Sequence, residues 1–248
     1  MLRISLDYSK QIKRSPIITR ILAQEDEEGD DRWGGQEFGD PHFIITGKNM
    51  DSLCFNFTPD LKSDVVLLSD PTSALSVTGT PQEREDGHIS LSNIHFRSPG
   101  GAVLEFDKDG FQMLSGSEGI PVKYGHIKYH DVTIADNWDD EHSHTRIAVT
   151  DGPTFIVKEK VSKGALSFNV ADSTGLSEKC RGLIGQFFHT DAYHVDSTGE
   201  ENEYGQEVGT VKVGDVAVPA VRDYWHHMHD EKCWIIDDED IITLMNQF

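Results

Sequence analysis

Residues 101–115 read GAVLEFDKDGFQMLS and residues 145–159 read TRIAVTDGPTFIVKE. In the first stretch Val103 and Glu105 alternate with Leu104 and Phe106, then Asp109-Gly110 supplies a turn before Phe111 and Met113. In the second, Ile147 and Val149 precede Asp151-Gly152, and Phe155 and Val157 come after it. Period-two alternation broken by Asp-Gly predicts a β-hairpin in each. Similar short apolar runs occur at 43–45, 53–57, 65–68, 89–96, 127–134, 165–170 and 208–213, each closed by turn residues. Helical periodicity is nearly absent, apart from a turn or two around Leu183 to Phe188. The expected fold is all-β: a large antiparallel two-sheet β-sandwich with little helix.

The protein has 248 residues, 37% of them hydrophobic, which is enough to build a core for one large domain. Asp and Glu number 43 against 22 Lys and Arg, a formal charge of −21 that disfavours DNA, RNA and acidic polysaccharides as electrostatic partners. No run of eighteen apolar residues offers a membrane span, and the opening MLRISLDYSKQIKRSPIITR lacks the apolar core of a secretory signal. The protein is therefore expected to be intracellular or a downstream piece of a longer secreted protein. Residues 25–31, EDEEGDD, are too charged to be buried, so 1–38 is read as an acidic linker or the tail of an upstream domain. Within it, Ile17, Ile18, Ile21 and Leu22 have the pattern of a short strand or helix that docks on the main body. The body is expected to cover 39–248.

The acidic stretch ends at Gly39-Asp40-Pro41-His42. In isolation such a string is an ordinary turn that opens a strand. Its chemistry is nonetheless distinctive. The Asp40 carboxylate is positioned by covalent connection to attack its own backbone carbonyl, closing a five-membered anhydride and expelling the Pro41 nitrogen as a new amino terminus. Intramolecular attack of this kind reaches effective molarities of about 10^5–10^8 M when geometry is held. Proline nitrogen is basic and leaves well once protonated. His42, with an ordinary imidazole pKa near ~6.5, is the neighbouring general acid. Gly39 permits backbone conformations that a side chain would block. Water then opens the anhydride to a C-terminal aspartate, or a hydroxyl acceptor opens it to an ester.

Taken in order, GDPHFII at 39–45, LCFNF at 53–57, RGLIGQFF at 181–188 and CWII at 233–236 make residues 39–248 resemble the C-terminal region of inter-alpha-trypsin inhibitor heavy chains. The GDPH start and the Gly-Leu-x-Gly-x-Phe element also resemble the wider von Willebrand factor type D group, and imply a fold of that type. The resemblance implies that the precursor is cut between Asp40 and Pro41, and that Asp40 becomes ester-linked to chondroitin sulfate and from there to hyaluronan in extracellular matrix. The downstream part would be a propeptide of a secreted protein, with upstream heavy-chain domains as its partners. No DxSxS string of that family's type A domain occurs in the sequence, so the expectation is a fragment, an incomplete gene product or a stand-alone relative, and in the last case the resemblance does not imply the matrix role.

Cys54 and Cys233 lie in two of those landmarks, and a bridge between them would tie the first and last strands together in an oxidising compartment. Cys180 is the odd one out, read as a buried free cysteine in preference to a reactive or intermolecular thiol. Asn56-Phe57-Thr58 is a glycosylation acceptor if the protein is secreted; strand alternation points Leu53, Phe55 and Phe57 inward and Asn56 outward with Cys54. The patches His226, His227, His229, Asp230 and Asp139, Asp140, Glu141, His142, His144 lack a spacing that gathers ligands on one face, so they are read as solvated loops. RGLIGQFF lacks the Lys and Ser/Thr of a phosphate loop and is read as a structural turn between aromatics. No cofactor or metal is expected, and at most a single-turnover self-cleavage. The competing reading is a non-catalytic β-sandwich that binds other proteins, with GDPH merely opening a strand.

Overall fold

The computed structural model describes residues 18–22, 42–46, 51–85, 87, 89–115, 118–121, 125–138, 143–160, 165–188, 193–224 and 232–245. In sequence order the strands begin with β1 (Ile18–Leu22), β2 (His42–Thr46), β3 (Leu53–Asn56), β4 (Val65–Asp70), β5 (Leu75–Glu83) and β6 (Ile89–Arg97). They continue with β7 (Val103–Asp107), β8 (Gly110–Ser115), β9 (Glu118–Pro121), β10 (His126–Tyr129), β11 (Val132–Trp138) and β12 (Ser143–Val149). The last six are β13 (Thr154–Lys160), β14 (Ala165–Asp172), β15 (Tyr193–Glu201), β16 (Glu207–Val213), β17 (Val216–Tyr224) and β18 (Lys232–Ile236), and a helix α1 (Asp238–Met245) comes after them.

Two hydrogen-bonded runs make the sandwich. One is the meander β4 to β9, each strand antiparallel to the next. The other runs β10, β11, β12, β13, β14, β1, β2, β3, β18, β17, β16, β15. A single register pair, Leu166 with Leu91, joins β14 to β6 and links the runs. Their inner faces share one apolar core, in which Phe96 of the meander meets Phe155 edge-on with centroids 5.6 Å apart and Phe155 stacks on Phe168 at 5.4 Å. In β5 alternate residues are buried, as a one-sided strand requires, whereas all of Ala165 to Val170 in β14 is buried because that strand is covered on both faces.

The two hairpins predicted from sequence are present. The first turns one residue earlier than expected, at Lys108-Asp109, with Asp107 paired to Gly110 and Gly110 at φ +121°. Pro81 and Pro219 sit inside strands yet break no ladder. Pro81 lies at a register shift in β5, and Pro219 has β16 on one side only, because β18 begins pairing at Val221.

Three expectations change. The run 127–134 is two strands, because His130 takes φ +52° and reverses the backbone between Tyr129 and Val132. The pairing is not wholly antiparallel: β18 runs parallel to β3. The C-terminal end forms α1, whose first turn carries Asp238, Glu239 and Asp240, favourable charges at a helix N-terminus, and which buries Ile241 and Leu244 against the core. The turn expected near Leu183 to Phe188 is a 3-10 turn at Gly185–Phe187. The docking segment is β1, a strand that pairs with both β2 and β14.

Candidate functional site

His42 opens β2, and its register partners are Leu22 of β1 and Asn56 of β3, so its backbone is held from both sides. Gly39, Asp40 and Pro41 lie outside the described residues. The strand immediately downstream of them is rigidly based. Phe43 and Ile45 point into the main core, where Phe43 stacks on Phe55 with centroids 5.0 Å apart and planes 10° from parallel. Ile44 points to the opposite face, where it packs with Cys54 and Cys233.

Cys54 and Cys233 form a disulfide with Cα atoms 5.9 Å apart, and Ile235 covers it. The bond fastens β18 to β3 beside their parallel pairing, which the Trp234 N–H reinforces by donating to the Ser52 carbonyl at 2.9 Å. Cys54 is therefore not a surface residue beside Asn56, because the second face of the strand has a small core of its own. Asn56 itself is half-buried at the end of β3, and Thr58 of its sequon donates its hydroxyl to the Asp238 carboxylate at 2.7 Å. The Tyr193 hydroxyl donates to the Asp51 carbonyl at 2.6 Å and fixes the entry to β3. Burial, and then the charge of Asp51, push that phenol above its ordinary value.

RGLIGQFF is a clasp on β4. Ser69 and Arg181 exchange two main-chain bonds of 2.8 Å, and the Leu183 and Ile184 N–H groups donate to the Val66 and Leu67 carbonyls at 2.9 and 3.0 Å. Gly182 sits at φ +97°, where a Cβ would lie 2.8 Å from the Val66 oxygen, so only glycine fits. Cys180 is buried and free, and burial together with the Asp70 charge pushes its thiol up to about 12. It is protonated at neutral pH, as a buried structural cysteine should be.

Sequence reasoning missed two carboxylates. Asp70, fully buried, accepts the Ser177 hydroxyl at 2.6 Å, the Ser177 N–H at 2.9 Å and the Thr72 N–H at 3.0 Å. Burial alone would raise its pKa, but these bonds and one from the Ser73 side chain outweigh it and hold the carboxyl below its ordinary value. Asp131 accepts the Ser98 hydroxyl and the Gly100 N–H through its side chain, and the Thr150 N–H and hydroxyl through its carbonyl. It thereby joins three hairpin ends. The only available signal was Asp near Ser, Thr and Gly, which any turn shows.

His226, His227, His229 and Asp230, like 139–142, lie outside the described residues; His144 lies in β12 between Asn137 and Lys158. Among the described residues no three His, Cys, Asp or Glu converge as metal ligands, and no helix is long and apolar enough to cross a membrane.

Residues 141–238 match the family model that describes the C-terminus of the inter-alpha-trypsin inhibitor heavy chains. This match and the relatives that share it make the protein similar to the C-terminal domain of those heavy chains. The matched stretch runs from the start of β12 through β18 and includes the clasp, Cys180 and the second disulfide cysteine. Heavy chain H3 of Bos taurus is 29% identical over 181 positions, covering 63% of this sequence and 19% of its own length. Heavy chain H1 of Bos taurus is 26% identical over 228 positions, covering 79% of this sequence and 24% of its own length. Heavy chain H3 of Homo sapiens is 30% identical over 173 positions, covering 60% of this sequence and 18% of its own length. The protein thus spans about a fifth to a quarter of the length of these relatives.

Proposed function

We propose that this is the propeptide domain of a secreted heavy chain-like protein, and that it cuts its own backbone between Asp40 and Pro41. Asp40 is handed as an ester to chondroitin sulfate or hyaluronan in extracellular matrix. The Asp40 carboxylate adds to its own main-chain carbonyl, the carbonyl carbon–Pro41 nitrogen bond breaks, and the His42 imidazolium gives that nitrogen its proton. A sugar hydroxyl then adds to the anhydride, one ring carbon–oxygen bond opens as a carboxylate, and the hydroxyl proton passes to the now neutral imidazole. The observation that carries the reading is the placement of His42 as the first residue of a strand paired on both sides, because a reacting group mounted on a rigid element keeps its geometry better than one on a loop. The disulfide supports an oxidising, secreted setting. The charge of −21 supports covalent attachment as the means of holding a polyanion.

Intact-mass spectrometry of the protein held between pH 4 and 7 tests the proposal. Fragments ending at Asp40 and beginning at Pro41 are expected, with a bell-shaped rate between the ordinary values of aspartate, about 3.9, and imidazole, about 6.5. Asp40→Asn should leave the protein whole, and His42→Ala should slow the cut by about 10^2–10^4-fold. With a chondroitin sulfate oligosaccharide present, the upstream fragment should gain its mass. A protein that stays whole at every pH, with protein partners retained on the uncut domain, would favour the non-catalytic interaction module instead.

A further inference from the structure

Strand β1 belongs to the part of the sequence that lies before the Asp40–Pro41 bond, yet it is built into the sheet that lies after it. Five of its residues are in antiparallel register with β2, from Ile18 opposite Thr46 to Leu22 opposite His42. Thr19 and Arg20 are at the same time opposite Val170 and Asn169 of β14. The slot between β2 and β14 is lined by buried backbone, since Phe43, Ile44, Ile45, Asn169 and Val170 are all buried. With β1 in place these main-chain groups are shielded from water, and the ladder bonds to β1 are what satisfy them. Further along β14, Leu166 is taken by Leu91 of β6, so the slot has a fixed end.

We infer that the β2–β14 slot is a strand-binding site whose ligand is the upstream segment Ile18–Leu22. The two products of the proposed cut therefore stay together as a non-covalent complex until β1 is withdrawn. This rests on the cleavage proposed above only for its biological occasion. The recognition is strand addition: main-chain hydrogen bonds along both edges supply affinity, and register supplies specificity. Backbone scission between residues 23 and 41 removes the tether and leaves these bonds untouched. Release of the upstream part then becomes a separate, slower event than bond breakage.

The test imposes the cut by other means. In the Asp40→Asn protein, a recognition sequence for a sequence-specific protease is placed in residues 27–33, and the protein is cut in native buffer. Expected are two bands on a denaturing gel but one peak, at the uncut mass, by gel filtration and native mass spectrometry. Amide exchange at Ile44 and Ile45 should remain as slow as before the cut. Because β1 is paired on both sides, Arg20→Pro must delete a ladder bond on one side or the other, and should speed separation of the cut fragments by about tenfold or more. A synthetic peptide of residues 16–24 in excess should displace the upstream fragment. Immediate separation of the cut protein with its own β1 sequence overturns the inference, as does a complex indifferent to both Arg20→Pro and the peptide. If Arg20→Pro does not fold, the first cut and the peptide competition still decide. Because Asp40 is disabled throughout, failure of self-cleavage has no bearing on the outcome.

Discussion

The disulfide can be removed without touching the main core, because its cysteines lie in a separate small cluster. Cys54 and Cys233 are 179 positions apart in sequence, so the bond closes nearly the whole domain into one loop. The chain-entropy relation gives about 5 kcal/mol for a loop of about 180 residues, an upper figure from which residual denatured structure subtracts. About 3–5 kcal/mol is therefore expected from the cross-link, against a net stability of about 5–15 kcal/mol for a typical domain. Packing contributes separately, since both cysteines are buried with Ile44. The two contributions separate by comparing three proteins in urea: the oxidised form, the same sequence unfolded and refolded in reductant, and Cys54→Ala with Cys233→Ala. Oxidised against reduced isolates the cross-link, because every sulfur atom is kept. Reduced against the double alanine isolates the packing, about 1–2 kcal/mol for the lost atoms. With a slope of about 2–3 kcal/mol per molar urea, the first step should lower the midpoint by about 1–2 M, and the slope should rise as the reduced denatured state expands. A reduced protein within about 0.5 kcal/mol of the oxidised one would refute the reasoning. It would mean that β3 and β18 remain together when the rest of the domain has unfolded.

Three further outcomes are expected of the clasp and its surroundings. Gly182→Ala should cost about 2–4 kcal/mol in urea unfolding, since the new Cβ meets main-chain atoms 2.8–3.0 Å away that cannot turn aside; a loss under about 1 kcal/mol would contradict the positive φ. Asp70 has a folded pKa below its unfolded one, so its contribution is fully present above the ordinary carboxylate value of 3.8 and is lost as pH falls through the folded value. The stability gap between the native protein and Asp70→Asn should accordingly narrow in acid, and a gap that widens from about pH 6 to about pH 3 would be the wrong sign. Cys180, with its thiol pushed up to about 12, should resist iodoacetamide at about pH 8 in the folded protein and react in urea; stoichiometric labelling of the native protein would show the thiol to be accessible and ionised.

The local parts of this fold were legible. Leu104 and Phe106 alternate with half-exposed neighbours, and Asp-Gly stands at the backbone reversals, so period and turn chemistry agree. What escaped has identifiable causes. The helix α1 spans only eight residues, of which Ile241 and Leu244 alone are buried, too little for a period to emerge. The reversal at His130 uses a left-handed residue that is not glycine, so 127–134 looks like one strand. Asp70 and Asp131 gain their meaning from residues up to 107 positions away, and nothing local distinguishes them from surface turn residues. Two long-range features did leave a trace. The cysteines of LCFNF and CWII pointed to the contact between β3 and β18, though not to its parallel sense, and the apolar pattern of Ile18, Ile21 and Leu22 pointed to a docking segment, although not to the strands that receive it.

These two traces converge on the same strands. The disulfide fixes β3, β3 pairs with β2, and β2 pairs with β1, so the segment before Gly39 and the segment after Pro41 are anchored to one another through main-chain bonds rather than through the peptide link between them. In a tight hairpin the connecting residues set the register, and cutting them loosens the pair. Between β1 and β2 the register is also set from the far side of β1 by β14, which the connecting residues do not join. The register of β1 against β2 therefore does not depend on the peptide link that the proposed chemistry breaks. That separation of tasks is why scission and release can be distinct steps, and why a strand of five residues can matter to a domain that otherwise lies wholly downstream of it.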